Sequence, residues 1–303
     1  MKFNFIQQHQ NEFPIKLMCQ QFKVARSSYY AYLKRSDEPS KREQENRVLL
    51  EKIKIIFEKH KKRYGSPRIH AVLKQQGETC SLGRVKRIMR AAGLYALSSK
   101  KYKPKQDRSE QALLEKKNLL LNAENRPKAI NQVWHTDITY IPTDEGWLYL
   151  AGVIDSFSKR LVGYAMDDNM QTDLVIQALR SAVKTRNPPK GLIHHSDKGS
   201  QYTSYIYQRE LKNQHMLSSF TGIGACLDNA IIESFWATLK KELVYPTNFK
   251  TRDEARLAIF EYIEVYYNRE RLHSSLLYQT PDGFELNLLS KDSIDSCLLN
   301  IAA

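Results

Sequence analysis

Between residues 14 and 35 the apolar positions Ile15, Leu17, Met18 and Phe22 return at helical intervals, and a second run begins after the polar pair Ser27 and Ser28. That spacing predicts two short helices separated by a turn, the second opened by serine caps. From Arg42 to Lys62, Val48, Leu49, Ile53, Ile56 and Phe57 fall among charges at helical spacing, predicting an amphipathic helix with a basic outer face. Residues 64–93 predict a further helix-turn-helix: Pro67 opens one helix, Gly77 ends it, Ser81 caps the next and Gly93 stops it. In its second helix Leu82, Val85, Ile88 and Met89 form the buried stripe. Arg84, Lys86, Arg87 and Arg90 are left for another face, the arrangement a DNA major groove accepts.

At Asn131 the period changes from helical to alternating. NQVWHTDITYIPT, GWLYLAGVIDSFS and KRLVGYAMD read as three successive strands. A helix over Thr172–Arg186, a strand over Gly191–Ser196, a helix over Gln201–His215, a short strand near Met216–Phe220 and a helix from Asp228 to about Val244 follow. Three strands and then α, β, α, β, α is the order of an RNase-H-like mixed five-stranded sheet, an α/β core preceded by an all-α region. The predicted organisation is a helix-turn-helix over 1–40, a second such DNA-binding domain over 41–97, a basic linker with a short helix (Gln111–Leu121) over 98–127, the catalytic core over 128–290, and a tail over 291–303.

Charge changes the picture. Of 303 residues, positions 1–130 hold 30 basic and 12 acidic side chains, whereas 131–303 hold 17 basic and 21 acidic. The whole positive surplus therefore lies in the helical part, which points to a polyanion, with nucleic acid the leading partner. A hydrophobic content of 42% excludes a wholly disordered chain. Cys19, Cys80, Cys226 and Cys297 form no C-x-x-C pair, so neither a zinc ribbon nor a disulfide framework is expected, and a reducing cytoplasm fits. Neither a signal peptide nor a membrane span is expected.

Three carboxylates stand at informative places: Asp137 within the first strand, Asp197 directly after His194, His195 and Ser196 at the end of the fourth, and Glu233 on the last helix. In a mixed sheet the first and fourth strands can be neighbours, so these acids can converge. Gathered like charges raise one another's pKa, and a divalent cation resolves the conflict. Hard oxygen ligands favour Mg²⁺, with Mn²⁺ able to substitute, and two ions can hold the attacking and leaving oxygens of a phosphodiester exchange. Asn229, Glu233 and Lys240 share a helix face by spacing, which sets Lys240 to neutralise a DNA phosphate and makes Asn229 a candidate DNA contact on the same face. Asp155 is expected to stabilise the turn between strands two and three, and Asp228 to cap the Glu233 helix. His195 is open between packing beside the site and touching DNA, and His194 is expected to be structural.

WHTDITYI around Asp137, HHSDKGSQY around Asp197 and DNAIIESFWATLKKE around Glu233 resemble the catalytic blocks of DDE transposases of bacterial insertion sequences, the IS-three family, relatives of retroviral integrases. The 35 residues between Asp197 and Glu233 match that family's spacing. YNRERLHSSLLYQTP resembles its C-terminal block, and RYGSPRIHAVL with GRVKRIMRAAGL its helix-turn-helix. The resemblance implies an RNase-H-like integrase core with Asp137, Asp197 and Glu233 as Mg²⁺ ligands and no zinc. It further implies double-stranded DNA as partner, both inverted-repeat ends and target, a homodimer or higher multimer on paired ends, an upstream-frame product as a further partner, and a bacterial, nucleoid-associated setting. Two other functions fit the same residues: a helix-turn-helix regulator on an inert core, and a nuclease of this fold that cuts without joining.

Overall fold

The computed structural model describes residues 2–37, 40–97, 118–222 and 229–290. It contains two compact units, Met1–Ala96 and Leu97–Ala303.

The first unit is helical. α1 (Lys2–Gln8), α2 (Ile15–Gln21) and α3 (Arg26–Asp37) close on a small core of Ile6, Met18, Cys19 and Tyr29. α1 has no counterpart in the predicted elements, because Ile6 is the one residue it buries and makes no stripe. α3 begins at Arg26, so Ser27 and Ser28 lie in its first turn rather than at the cap. Leu17 points outward at 50% exposure.

α4 (Lys41–Lys59), α5 (Ser66–Gln75) and α6 (Leu82–Ala91) bury Leu49, Ile53, Ile56, Phe57, Ile69, Leu73, Val85 and Met89. The Ser40 hydroxyl accepts from the Glu43 N–H and that of Ser81 from the Arg84 N–H, capping α4 and α6. Gly77 and Gly93 take left-handed φ values of +83° and +67° just past α5 and α6, a conformation that costs glycine little. Helical spacing puts Val48 and Leu82 in the buried stripes, yet they are 60% and 42% exposed. Each lies at the border of its helix's apolar arc, where spacing does not separate rim from core.

In the second unit β1 (Val133–Thr143), β2 (Gly146–Asp155) and β3 (Leu161–Asp167) form an antiparallel meander, and β4 (Ile193–Ser196) and β5 (Leu217–Phe220) add in parallel, in the order β3-β2-β1-β4-β5. α7 (Thr172–Arg186) makes the crossover to β4 and packs on one sheet face through Leu174, Val175, Ala178, Leu179 and Ala182 against Trp134, Ala151, Val153 and Val162. The helix predicted over 201–215 is two: one turn, α8 (Ser200–Thr203), and α9 (Tyr205–Asn213), which the Ser204 hydroxyl caps. Asp155 holds the β2–β3 turn as expected: one carboxylate oxygen accepts the N–H groups of Phe157 and Ser158, the other that of Asn131.

α10 (Ala230–Leu239) comes after β5 and continues into a π-turn over Lys240–Val244. α11 (Arg252–Phe260) likewise runs into a π-turn over Glu261–Tyr267, and a last helix, α12, spans residues 281–290. The Tyr262 hydroxyl of the second π-turn donates to Glu242 of the first at 2.9 Å, and Arg271, four residues past the second, donates to both Glu242 oxygens at 2.8–3.2 Å in a buried ion pair. Most of the predicted Gln111–Leu121 helix falls outside the described residues, and Leu119–Leu121 forms a single 3-10 turn. Asp228 and the 291–303 tail also fall outside them.

Candidate active site

β4 is four residues long and pairs with β1 only from Val133 to His135. Beyond that point β1 runs on to Thr143, and among the described residues no strand pairs with its β4-side edge. Counting two residues past the His135–His195 pair reaches Asp137 on β1 and Asp197 just past the end of β4. Parallel register therefore draws together two acids that are sixty positions apart in the chain.

Asp137 is largely buried. The Ile138 N–H donates to its Oδ1 at 2.8 Å, and the indole N–H of Trp236, on α10, donates to Oδ2 at 3.1 Å. Burial pushes the carboxyl up to about 7, the negative charges of Asp197 and Glu233 push the same way, and the two hydrogen bonds work against them. Asp197 is exposed, with its Oδ1 accepting the Gly199 N–H at 2.9 Å. Glu233, in the first turn of α10, has its carboxyl raised by partial burial. The three acids thus share one field. Among the described residues, however, no group of three or more His, Cys, Asp or Glu side chains is already arranged to hold a metal ion.

Lys240 sits where α10 gives way to the π-turn. Its ammonium lies 4.7 Å from the centre of the Tyr140 ring, a cation–π contact, and half-burial lowers its pKa while the Asp137 charge opposes that shift. Asn229 is placed differently from expectation. It is 5% exposed, hydrogen-bonds through Oδ1 to His135 at 3.2 Å and donates from Nδ2 to the Thr136 carbonyl at 3.4 Å. Its amide ties the start of α10 to β1 beside Asp137 instead of facing DNA, because the helix begins at Ala230 and turns this position inward.

The three histidines near the acids are interior. His195 is fully buried between the Ser219 and Thr221 hydroxyls, at 2.9 and 3.2 Å, which settles it as a packing residue. His194 meets the Tyr207 hydroxyl at 3.1 Å, in keeping with a structural role. Burial, and then the neighbouring His195, lower the His135 and His194 pKa values to about 3. A histidine depressed in the fold stabilises it above pH 6.5 and loses that contribution as pH falls towards 3. Chemical denaturation is therefore expected to show each of the two costing about 2 kcal/mol by pH 5. Replacing His194 with glutamine should flatten that acid limb.

Of the basic residues predicted on α6, Lys86, Arg87 and Arg90 are exposed. Arg84 is engaged inside the unit: it donates to Asn46 at 2.8 Å and pairs with Glu45 at 3.2 Å. A cleft of about 470 Å³ between α4 and α6 is lined by Arg42, Arg47, Arg84 and Arg87 over an apolar floor including Leu50 and Ile88. Among the described residues no helix is long and apolar enough to cross a membrane.

Sequence reasoning does not single out Trp236, Tyr140 or Gly152. Trp236 lies one turn beyond Glu233, and a buried indole N–H needs an acceptor, which is the signal that could have found it. Tyr140 and Gly152 give no comparable signal.

Residues 127–226 and 215–281 match the Integrase core domain family, and residues 43–102 match the HTH-like domain family. The chain is 46% identical to the transposase for insertion sequence element IS904 of Lactococcus lactis subsp. lactis (strain IL1403) over 247 residues, 82% of this chain and 97% of that one. It is 39% identical to the transposase InsF for insertion sequence IS3A of Escherichia coli (strain K12) over 285 residues, 94% and 98% of the two chains. Among solved structures, the HTLV-2 integrase catalytic core domain in complex with magnesium aligns at 18% identity and a TM-score of 0.41, covering 53% of this chain and 99% of that one.

Proposed function

The chain belongs to the IS-three family of insertion-sequence transposases, and on that footing we propose that Asp137, Asp197 and Glu233 perform divalent-metal phosphodiester transfer at the ends of a mobile element. The observation that carries this reading is the pairing of β1 with a four-residue β4, which sets Asp137 and Asp197 at one sheet edge with Glu233 close enough to raise the same carboxyl.

The donor set is all carboxylate oxygen, which suits Mg²⁺ or Mn²⁺, and a buried acid at about 7 among other acids has negative charge for a cation to relieve. The proposed ligands are Asp137, Asp197 and Glu233, with two ions in the full reaction. When bound, the metal supplies Lewis acidity toward the scissile phosphate. The chain supplies the rest. Lys240 offers a cation to a neighbouring DNA phosphate, and the buried body of α10 excludes water behind Asp137. No serine or tyrosine is needed as a covalent nucleophile, since water and then a 3′-hydroxyl can attack in line.

Lys86, Arg87 and Arg90, with the arginine-lined cleft beside them, are proposed to grip the inverted-repeat ends. Arg87→Ala and Arg90→Ala are each expected to weaken end binding and to lower the slope of log affinity against log salt by about 1 for each phosphate left unneutralised. Unchanged slopes in both variants, measured by fluorescence anisotropy, would remove α6 from the DNA-binding surface.

The test of the function is to incubate the full chain with labelled element-end DNA, a target duplex and Mg²⁺. Joined product is the expected result. Cleavage without joining would favour the nuclease reading, and binding without either product would favour the regulator.

A further inference from the structure

The geometry points to Trp236 as a positioning residue: we infer that its indole aims the Asp137 carboxylate at the metal, and that Gly152 is the notch in the sheet that admits it. This role rests on Asp137 holding metal as proposed above.

A carboxylate turns on a soft torsion with no sharp rotamer wells, so an aspartate ligand is oriented only by what its oxygens accept. Each Asp137 oxygen accepts one N–H: Oδ1 that of Ile138 at 2.8 Å, Oδ2 that of Trp236 at 3.1 Å. The plane of the group is then set, and each oxygen keeps lone-pair capacity for a cation. An indole suits the task because it donates only, does not titrate and carries no charge to compete with metal. A lysine or arginine in its place would pair with Asp137 and oppose the ion.

Donation by a buried indole is not automatic in this fold. The Nε1 of Trp134, equally buried, has no hydrogen-bond partner among the described residues. Trp236 reaches Asp137 because the strand opposite leaves room. Gly152 is the cross-strand partner of Asp137, and a Cβ built on it would lie 2.7 Å from Cη2 and 3.1 Å from Cζ2 of Trp236, with Leu161 Cδ1 at 3.3 Å. Any side chain at 152 would displace the rigid ring, and with it the N–H.

Trp236 also stands three residues beyond Glu233 on α10, so the helix that presents one acid holds the orientation of another. Asp137 and Glu233 are thereby fixed relative to each other through one element.

The experiment uses the full chain labelled with ¹⁵N. Its three tryptophans give three indole signals, and the one that disappears in Trp236→Phe is assigned to Trp236. That signal is expected to move upfield in Asp137→Ala, where the acceptor is gone, and to move when Mg²⁺ is added to the unmodified chain. Calorimetric Mg²⁺ binding by Trp236→Phe in the presence of end DNA is expected to be at least about tenfold weaker, the loss typical when a group orienting a ligand is removed. Gly152→Ala should weaken it in the same direction, while end binding in EDTA stays unchanged in both variants.

Unchanged Mg²⁺ affinity in a folded Trp236→Phe chain, or a Trp236 signal indifferent to Asp137→Ala, overturns the inference. If Trp236→Phe does not fold, the signal is assigned by elimination from Trp134→Phe and Trp147→Phe, and the comparison of the unmodified chain with Asp137→Ala decides. Should Asp137→Ala keep both Mg²⁺ binding and joining, the reading of Asp137 itself fails. Should it lose both while Trp236→Phe keeps its metal affinity, only the role of the indole fails.

Discussion

Asp137→Asn, Asp197→Asn and Glu233→Gln are each expected to abolish end cleavage and joining, by at least about a thousandfold, a loss equivalent to about 4 kcal/mol of transition-state stabilisation. Each substitution keeps the shape of the side chain and removes the charge a hard cation requires. Folding should survive for reasons particular to each position. The Asp137 carboxyl is already pushed up to about 7 by burial, so an uncharged amide there relieves the metal-free fold. Asp197 and Glu233 are solvent-exposed, and their substitution leaves no buried group unpaired. Gel assays of cleavage and strand transfer, run beside thermal melts and end-binding titrations, check the separation. Normal strand transfer by any of the three would sink the assignment.

The second large effect concerns stability. Arg271 and Glu242 are 4% and 5% exposed, and they tie the π-turn after α10 to the segment after α11. Arg271→Met is expected to destabilise the chain by about 3–5 kcal/mol, because the Glu242 carboxylate would remain buried without its charge partner. Removing both charges, in Arg271→Met with Glu242→Leu, should restore most of that loss, since a well-packed apolar pair can replace a buried ion pair at little cost. Urea denaturation of the single and double variants measures both. Equal destabilisation by the single and double variants would mean that the site depends on the shape of the pair and not on uncompensated charge.

Much of this chain is legible before it folds. The strand alternation from Asn131, the crossover helix, the turn chemistry of Asp155, and the caps at Ser81 and Gly93 all act between residues a few positions apart, where propensity and period decide. The legible part of the site is its set of acids, recognisable by motif and by the interval between Asp197 and Glu233. Boundaries are less legible. α10 begins after Asn229 and changes to a π-turn at Lys240, and within that turn Glu242 is held by Arg271, 29 positions away.

Sequence by itself determined the order of elements, the placement of the charge surplus and the candidate acids. Tertiary structure alone decided which of the candidate residues are available. It turned Asn229 inward to His135 and engaged Arg84 with Glu45 and Asn46. It enclosed His195 between two hydroxyls, and it brought a tryptophan 99 positions distant to Asp137 through the gap left by Gly152. The physical reason is that helical and strand periods record only which side of an element is apolar. The partner of a buried polar group is chosen by register and packing between elements, and those are properties of the folded chain.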